Sequence, residues 1–365
     1  MSHRDEARMI IIDGGQKSGS GTIVRDAVPF SVLTGKELHL TNIRARRQKP
    51  GLRAQHLRGI EASERICRGH LEGAQIGSKE IRFKPGTVIH GGTFNWDIGT
   101  AGSTTMLALS IIPLALFADR PSRHTITGGL FQDFAPSIYH VQHVLLPILH
   151  QMGITVDIII KQPGFVPRGN GQIEVNIVPV KEHIKPLALT DRGRITGIRG
   201  IALSSLLMNR NVSDRMAREC CRRLQANGYV PIIDVLYDSN KNPAYQRTSV
   251  QAGASLAIWA ETDTGCLIGS DMAGAPKRPA EFIGKQVARH LIDVLDTDAT
   301  VDEHVADQLI PFAALANGRS SYVIPKMTDH IEARLWLVET MLGATTEVQD
   351  NRLSIQGIGY GRYTE

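Results

Sequence analysis

Residues 137–160 read SIYHVQHVLLPILHQMGITVDIII, and this stretch decides the fold. Ile138, Val141, Leu145, Leu149 and Met152 fall on one face at helical spacing. Gly153 stops the helix, because only glycine enters the left-handed region freely. A β-branched run from Ile154 to Ile160 follows and reads as a strand. The same sense recurs near the other end of the chain. Residues 329–342 carry the stripe Ile331, Leu335, Val338 and Met341, Gly343 caps it, and Leu353-Ser354-Ile355 reads as a strand. Each helix has one apolar face and needs a sheet to cover it, so the pattern predicts repeated two-layer helix-on-sheet units of the α+β class.

Working outward, Met9-Ile10-Ile11-Ile12 predicts a first strand. It runs into the glycine-rich turn Asp13 to Gly21. A helix over 22–34 follows, with Gly35 at its end, then a strand from Leu38. Pro50-Gly51 marks a turn before a helix over 53–68. Residues 74–76 and 80–83 read as a strand pair. From His183 to Lys277 the texture changes. Ile195 to Leu203 is strand-like, and residues 212–226 form a helix with Met216, Cys220 and Leu224 on one side. Ile232 to Tyr237 and Ala254 to Ala260 are strands around a polar loop at 238–243. This predicts a small α/β insert at 183–277, after which a helix over 279–295 resumes the large domain of residues 1–182 and 278–365.

The chain has 365 residues, a net charge of +5 and a pI near 9.0. A basic balance suits an anionic partner such as a nucleotide or nucleic acid. The four cysteines include no C-x-x-C pair, which argues against a zinc or disulfide framework and for reduced thiols. Residues 1–9 lack an apolar leader core, and the apolar run Met106 to Phe117 is too short to span a bilayer. The expectation is a cytoplasmic protein with no membrane partner.

Four features carry chemistry. The turn Gly14-Gly15-Gln16-Lys17-Ser18-Gly19-Ser20-Gly21, between strand and helix, offers backbone N–H groups to a phosphate. It is neither a P-loop nor a dinucleotide fingerprint, and taken alone such a turn is more often only a tight turn. Arg44, Arg46, Arg47, Lys49 and Arg53 put five cations within ten residues ahead of a helix N-terminus. Guanidinium forks match phosphate oxygens, although a charge run is usually a solvated loop. His330 follows Thr328-Asp329, which can cap the helix starting there. In that first turn the helix dipole disfavours imidazolium and leaves a neutral nucleophile; with thirteen histidines in the chain, spacing alone does not single it out. Asp307-Gln308 can hold a nucleotide or a metal, or be a plain helix-surface pair.

The combination resembles the RNA 3′-terminal phosphate cyclase family. The most distinctive string is Ile43-Arg44-Ala45-x-Arg47-x-Lys49-Pro50-Gly51-Leu52 with Gln55-His56-Leu57. Leu71-Glu72-Gly73-Ala74-Gln75-Ile76-Gly77-Ser78 follows in order. So do Thr100-Ala101-Gly102-Ser103, Gly128-Gly129 with Ala135-Pro136, Gly164-Phe165-x-Pro167-x-Gly169-x-Gly171, and Asp307-Gln308-Leu309. The resemblance implies three repeated units of two helices on a four-stranded sheet, with a smaller inserted domain. It also implies an ATP-dependent, ligase-type enzyme in which ATP adenylylates a histidine, AMP passes to an RNA 3′-phosphate, and the 2′-hydroxyl closes a 2′,3′-cyclic phosphate. A divalent cation, Mg²⁺ or Mn²⁺, would accompany ATP. By position, His330 matches the nucleophile. Arg25, Arg44, Arg47, Gln55 and His56 match residues at the phosphate or RNA end, and Pro136, Asp307 and Gln308 match the ATP site. Ser18 stands where the family carries a metal-holding glutamate, and Leu109 where it carries a glutamine. The residues after the histidine also depart, at Ala333 and Arg334. No metal ligand or oligomeric state is assigned.

Two other readings compete. A non-catalytic, cyclase-like RNA-binding protein of RNA processing or ribosome assembly would bind RNA without forming an adduct. An enolpyruvyl-transferase-like enzyme, also built from repeated helix-on-sheet units, would bind small phosphorylated metabolites and not RNA.

Overall fold

The computed structural model describes residues 9–361. The polar stretch before Met9, read above as lacking a leader, lies outside them.

The first unit runs β1 (Ile10–Asp13), α1 (Gly21–Thr34), β2 (Leu38–Thr41), α2 (Ala54–Cys67), β3 (His70–Glu72) and β4 (Ile81–Lys84). Its sheet has the order β1-β2-β4-β3, with β1 and β2 parallel and the other pairs antiparallel. The second unit repeats this. It runs β5 (Gly92–Asp97), α3 (Thr104–Ala115), β6 (Ser122–Gly128), a composite helix, β7 (Thr155–Gln162) and β8 (Gly171–Val178), in the order β5-β6-β8-β7. The composite helix is α4 (Ile138–His140), a π-helical turn (Val141–Leu145) and α5 (Leu146–Gln151). The quoted stripe is fully buried along it, and Gly153 sits at φ +79° as expected.

Strand β9 (Ala188–Leu189) opens the third unit, and the chain then leaves it. The excursion holds β10 (Ile195–Ser205), α6 (Val212–Gln225), β11 (Pro231–Asp238), β12 (Gly253–Thr262), β13 (Leu267–Ala273) and α7 (Ala280–Leu295). On return come α8 (Glu303–Gln308), α9 (Ile310–Leu315), β14 (Arg319–Val323), α10 (Asp329–Leu337), a second π-helical turn (Val338–Leu342), β15 (Thr345–Gln349) and β16 (Arg352–Gln356). The third sheet is again 1-2-4-3 in sense: β9-β14-β16-β15, with β9 and β14 parallel. The inserted sheet differs, as β11-β10-β12-β13.

Two differences from the sequence reading have physical causes. Residues 74–76 form a turn rather than a strand. Ser78 Oγ accepts from Gln75 N–H and donates to the Gly73 carbonyl, closing the loop, and β3 lies earlier. The second core also extends beyond the expected 183–277 segment. Ala280, Ile283, Val287, Leu291 and Leu295 of α7 pack with Met216, Cys220 and Leu224 of α6 over the inserted sheet, while Leu189 pairs into the third unit. Gly284 permits this approach, since a Cβ there would lie 2.4 Å from the Met216 carbonyl oxygen. The apolar run Met106 to Phe117 is α3 and its end, buried throughout among helices. Among the described residues no helix is long and apolar enough to cross a membrane, and all four cysteines are free.

In the second unit the sheet buries one face, as the alternation in β7 and β8 records, whereas β12 of the insert is buried on both. The first helices, α1, α3 and α9, are enclosed on nearly every side. Several helix starts open toward one region, and the functional cleft lies there.

Candidate active site

A cleft of about 460 Å³ is lined by the starts of α1 (Ser20, Gly21, Thr22), α2 (Gln55, His56), α8 (Glu303, His304) and α10 (Thr328, His330). Unpaired N–H groups and aligned dipoles at helix N-termini give such a cleft positive potential. Arg25, Arg44, Arg47, Met106, residues 133–136, Asp307 and Gln308 complete the lining. Every site residue expected from the sequence therefore meets in this cleft: His330, Arg25, Arg44, Arg47, Gln55, His56, Pro136, Asp307 and Gln308.

His330 is the second residue of α10, and Thr328 Oγ1 caps that helix by accepting from Ile331 N–H. The His330 Nδ1 lies 2.8 Å from Thr22 Oγ1, across 308 residues of sequence. The ring is half-buried. Burial lowers its pKa, and Arg25, Arg334 and Arg47 add to this against the pull of Asp307. The imidazole is therefore held neutral near pH 7.

Arg25 is a cation short of partners. Its Nη1 meets the Met106 sulfur at 3.1 Å, its Nη2 is 3.4 Å from Thr22 Oγ1, and its buried Nε has no acceptor. The nearest carboxylate, Asp26 at 3.9 Å, is already gripped by Arg334 Nε at 2.8 Å. Desolvation and Arg334 lower the Arg25 pKa, and the group remains charged. A buried guanidinium so poorly satisfied favours an incoming anion.

The arginine loop forms the opposite wall. Arg44, at φ +56°, ties Nη1 to the carbonyls of Lys49 and Gly51 at 2.8 and 2.7 Å. Gly51, at φ +80°, packs on Gly77, where a Cβ would sit 2.2 Å from the Gly77 oxygen. Leu52 N–H donates to Ser78 O, and Gly77 N–H to Leu52 O. The 71–78 motif is thus a backbone strut for the arginines. Gln55 Oε1 accepts from Ser103 N–H, joining the first two units. His56 lies so close to Gly21 that a Cβ there would be 2.2 Å from its Nε2. Burial, then Arg44, Arg25 and Arg53, pull its pKa down to about 3.

Arg334 was not nominated by sequence as a site residue. It is fully buried. Nε donates to Asp26, Nη2 to Gln308 Oε1 at 3.1 Å, and Nη1 to the Asp307 carbonyl. Gln308 Nε2 in turn donates to Asp307 Oδ1. His304 was also missed. Against desolvation, which lowers it, Asp271, Asp302 and Asp307 raise its pKa to about 9. Leu109 is buried away from the cleft, and Ser18 bonds to Ser20.

A divalent cation fits poorly as a protein-held ion. The cleft carboxylates already face cations: Asp133 with Arg278, Glu303 with Lys326 and Asp307 with Arg334. Among the described residues no cluster of three or more His, Cys, Asp or Glu is arranged for a metal.

Three repeated α+β units closing an arginine-walled, anion-attracting cleft around a neutral histidine define a phosphate-handling protein. A family model described as RNA 3′-terminal phosphate cyclase matches residues 16–348. The chain is 36% identical to the RNA 3′-terminal phosphate cyclase of Caldivirga maquilingensis over 94% of its length and 95% of the relative's. It is 36% identical to that of Archaeoglobus fulgidus over 95% and 100%, and 34% identical to that of Methanopyrus kandleri over 93% and 95%. The chain belongs to the RNA 3′-terminal phosphate cyclase family.

Proposed function

We propose that this chain is an ATP-dependent RNA 3′-phosphate cyclase working through a histidine–AMP intermediate. In the Nδ1–H tautomer His330 donates to Thr22 Oγ1, 2.8 Å away, and the lone pair is left on Nε2. Nε2 attacks the α-phosphorus of ATP, the N–P bond forms, the α–β bridging P–O bond breaks, and pyrophosphate leaves. An oxygen of the RNA 3′-phosphate then attacks the same phosphorus and the N–P bond breaks, returning the imidazole. The 2′-hydroxyl finally attacks the activated 3′-phosphorus, loses its proton, and expels AMP as the cyclic phosphate forms.

Arg25, Arg44 and Arg47 stabilise the phosphoryl charge that develops in each transfer. Gln55 and His56 hold the arginine wall against α1. Pro136, Asp307 and Gln308 are assigned to the nucleoside side of ATP. The cation expected with it, Mg²⁺ or Mn²⁺, is assigned to the triphosphate and not to a protein cage.

The reading rests on one observation above all: a half-buried, uncharged imidazole shares a cleft with an under-coordinated buried guanidinium. Incubation with ATP labelled at the α-phosphate, in Mg²⁺ and in Mn²⁺, is expected to give an acid-labile, alkali-stable adduct that His330→Ala abolishes. RNA binding without any adduct in either metal would instead mark a non-catalytic relative.

A further inference from the structure

Phe134 is 95% exposed, yet it lies on a braced loop at the mouth of the cleft. On one side, Phe131 is buried and stacks on Phe165 with ring centroids 5.1 Å apart. Next to it, both oxygens of Asp133 are held by Arg278 at 2.8 Å. On the other side Ala135 is buried. The ring is held into solvent by fixed neighbours and does not hang from a slack loop. A lone exposed aromatic is ordinary on a protein surface. One fixed at the rim of a phosphate-attracting cleft is a platform for a flat ligand group.

Asp133 lines the cleft, and its partner Arg278 lines a second groove of about 530 Å³. This groove runs between the 165–167 loop of the second unit and the insert, lined by Phe165, Val166, Pro167, Arg210, Lys277 and Arg278 among others. Arg168, Arg210 and Lys277 are exposed and form no ion pair among the described residues. The nearby acids are spent: Asp133 on Arg278 and Glu281 on Arg215. An apolar floor with unpaired cations at its rim complements the bases and phosphates of a single strand.

We propose that Phe134 stacks on the base of the RNA's 3′-terminal nucleotide, and that the strand behind it crosses the Asp133–Arg278 bridge into this groove, with phosphates at Lys277, Arg210 and Arg168. The inference rests on the cyclase reading. Stacking needs only a π-face, so the site accepts any terminal base.

The test separates RNA from ATP. For Phe134→Ala, adduct formation with ATP alone is expected within about twofold of wild type, while KM for a 3′-phosphorylated oligonucleotide rises about tenfold. Phe134→Trp restores it. An RNA whose terminal nucleotide is abasic shows the same defect on the wild type and no further loss on the variant. Arg210→Glu with Lys277→Glu raises KM for a longer oligonucleotide and not for a dinucleotide 3′-phosphate. Loss of adduct formation in Phe134→Ala overturns the proposal, because the ring then serves ATP. So do an unchanged RNA KM, additive effects of the abasic end and the variant, and equal effects of the charge reversals on both lengths. Absence of an adduct in the wild type sinks the cyclase reading itself. Wild-type cyclisation with an indifferent Phe134 sinks this inference alone.

Discussion

The two walls of the cleft are built on opposite principles. On one wall Arg334 is buried and Arg25 nearly so, and Arg334 knits α1, α8 and α10 through Asp26, Asp307 and Gln308. On the other, Arg44 and Arg47 sit on a loop with solvent around it, stiffened by Gly51 against Gly77. Equal charges on the two walls therefore have unequal worth. A desolvated guanidinium acts in a low dielectric and cannot be replaced by water, whereas an exposed one is screened. The buried wall fixes geometry, and the exposed wall attracts.

This contrast can be broken by substitution. The largest expected effect is on folding: Arg334→Met keeps volume but strands Asp26 and Asp307, and loss of one partner of a buried ion pair costs about 3–5 kcal/mol. A urea midpoint unchanged by the substitution would show that the buried wall carries no such burden. Next, Arg25→Ala is expected to slow adenylylation about 10²-fold, as loss of a preorganised donor to a developing charge does. Arg47→Ala, exposed, is expected to cost about fivefold or less in low salt and less still in high salt. Equal losses at the two positions, measured by single-turnover adduct formation, would erase the distinction.

A smaller effect concerns pH. His304 has its folded pKa raised to about 9, against an ordinary value of 6.5. Its stabilisation is then complete below about pH 6.5 and disappears as pH rises through about 9. The stability difference between wild type and His304→Ala should therefore shrink over that window. A difference that persists unchanged at pH 10 would show that the His304–Asp271 contact is not charge-assisted. His330 moves the other way. Its lowered pKa predicts an adenylylation rate whose decline on acidification sets in at lower pH than an ordinary imidazole would give.

Much of the fold is legible in the sequence. The stripe from Ile138 to Met152 and the glycine stops declare helix-on-sheet units, because local periodicity reflects burial directly. Arg44, Arg47 and His330 were legible from motif and position. The hidden parts are those whose cause is distant in sequence. Thr22 and Arg334 act through partners about three hundred residues away, so Arg334 reads as a mere departure from pattern. Strand β15 escapes notice because most of its side chains are exposed, and β9 because it is two residues long. The π-helical turns at Val141–Leu145 and Val338–Leu342 leave the apolar stripes intact and so leave no trace in spacing. Phe134 carries no signal in the sequence, and only its fixed, outward setting gives it meaning.

The pairing of Thr22 with His330, and of Asp26 with Arg334, has a consequence for the life of the chain. As a ribosome makes it, the glycine-rich turn and the guanidinium loop emerge early, while the imidazole and its clamp arrive three hundred residues later. On the proposed reading, a half-made polypeptide carries the anion-attracting residues but not the nucleophile. The cleft is therefore completed only when the last repeat docks against the first and joins Thr22 to His330 and Asp26 to Arg334.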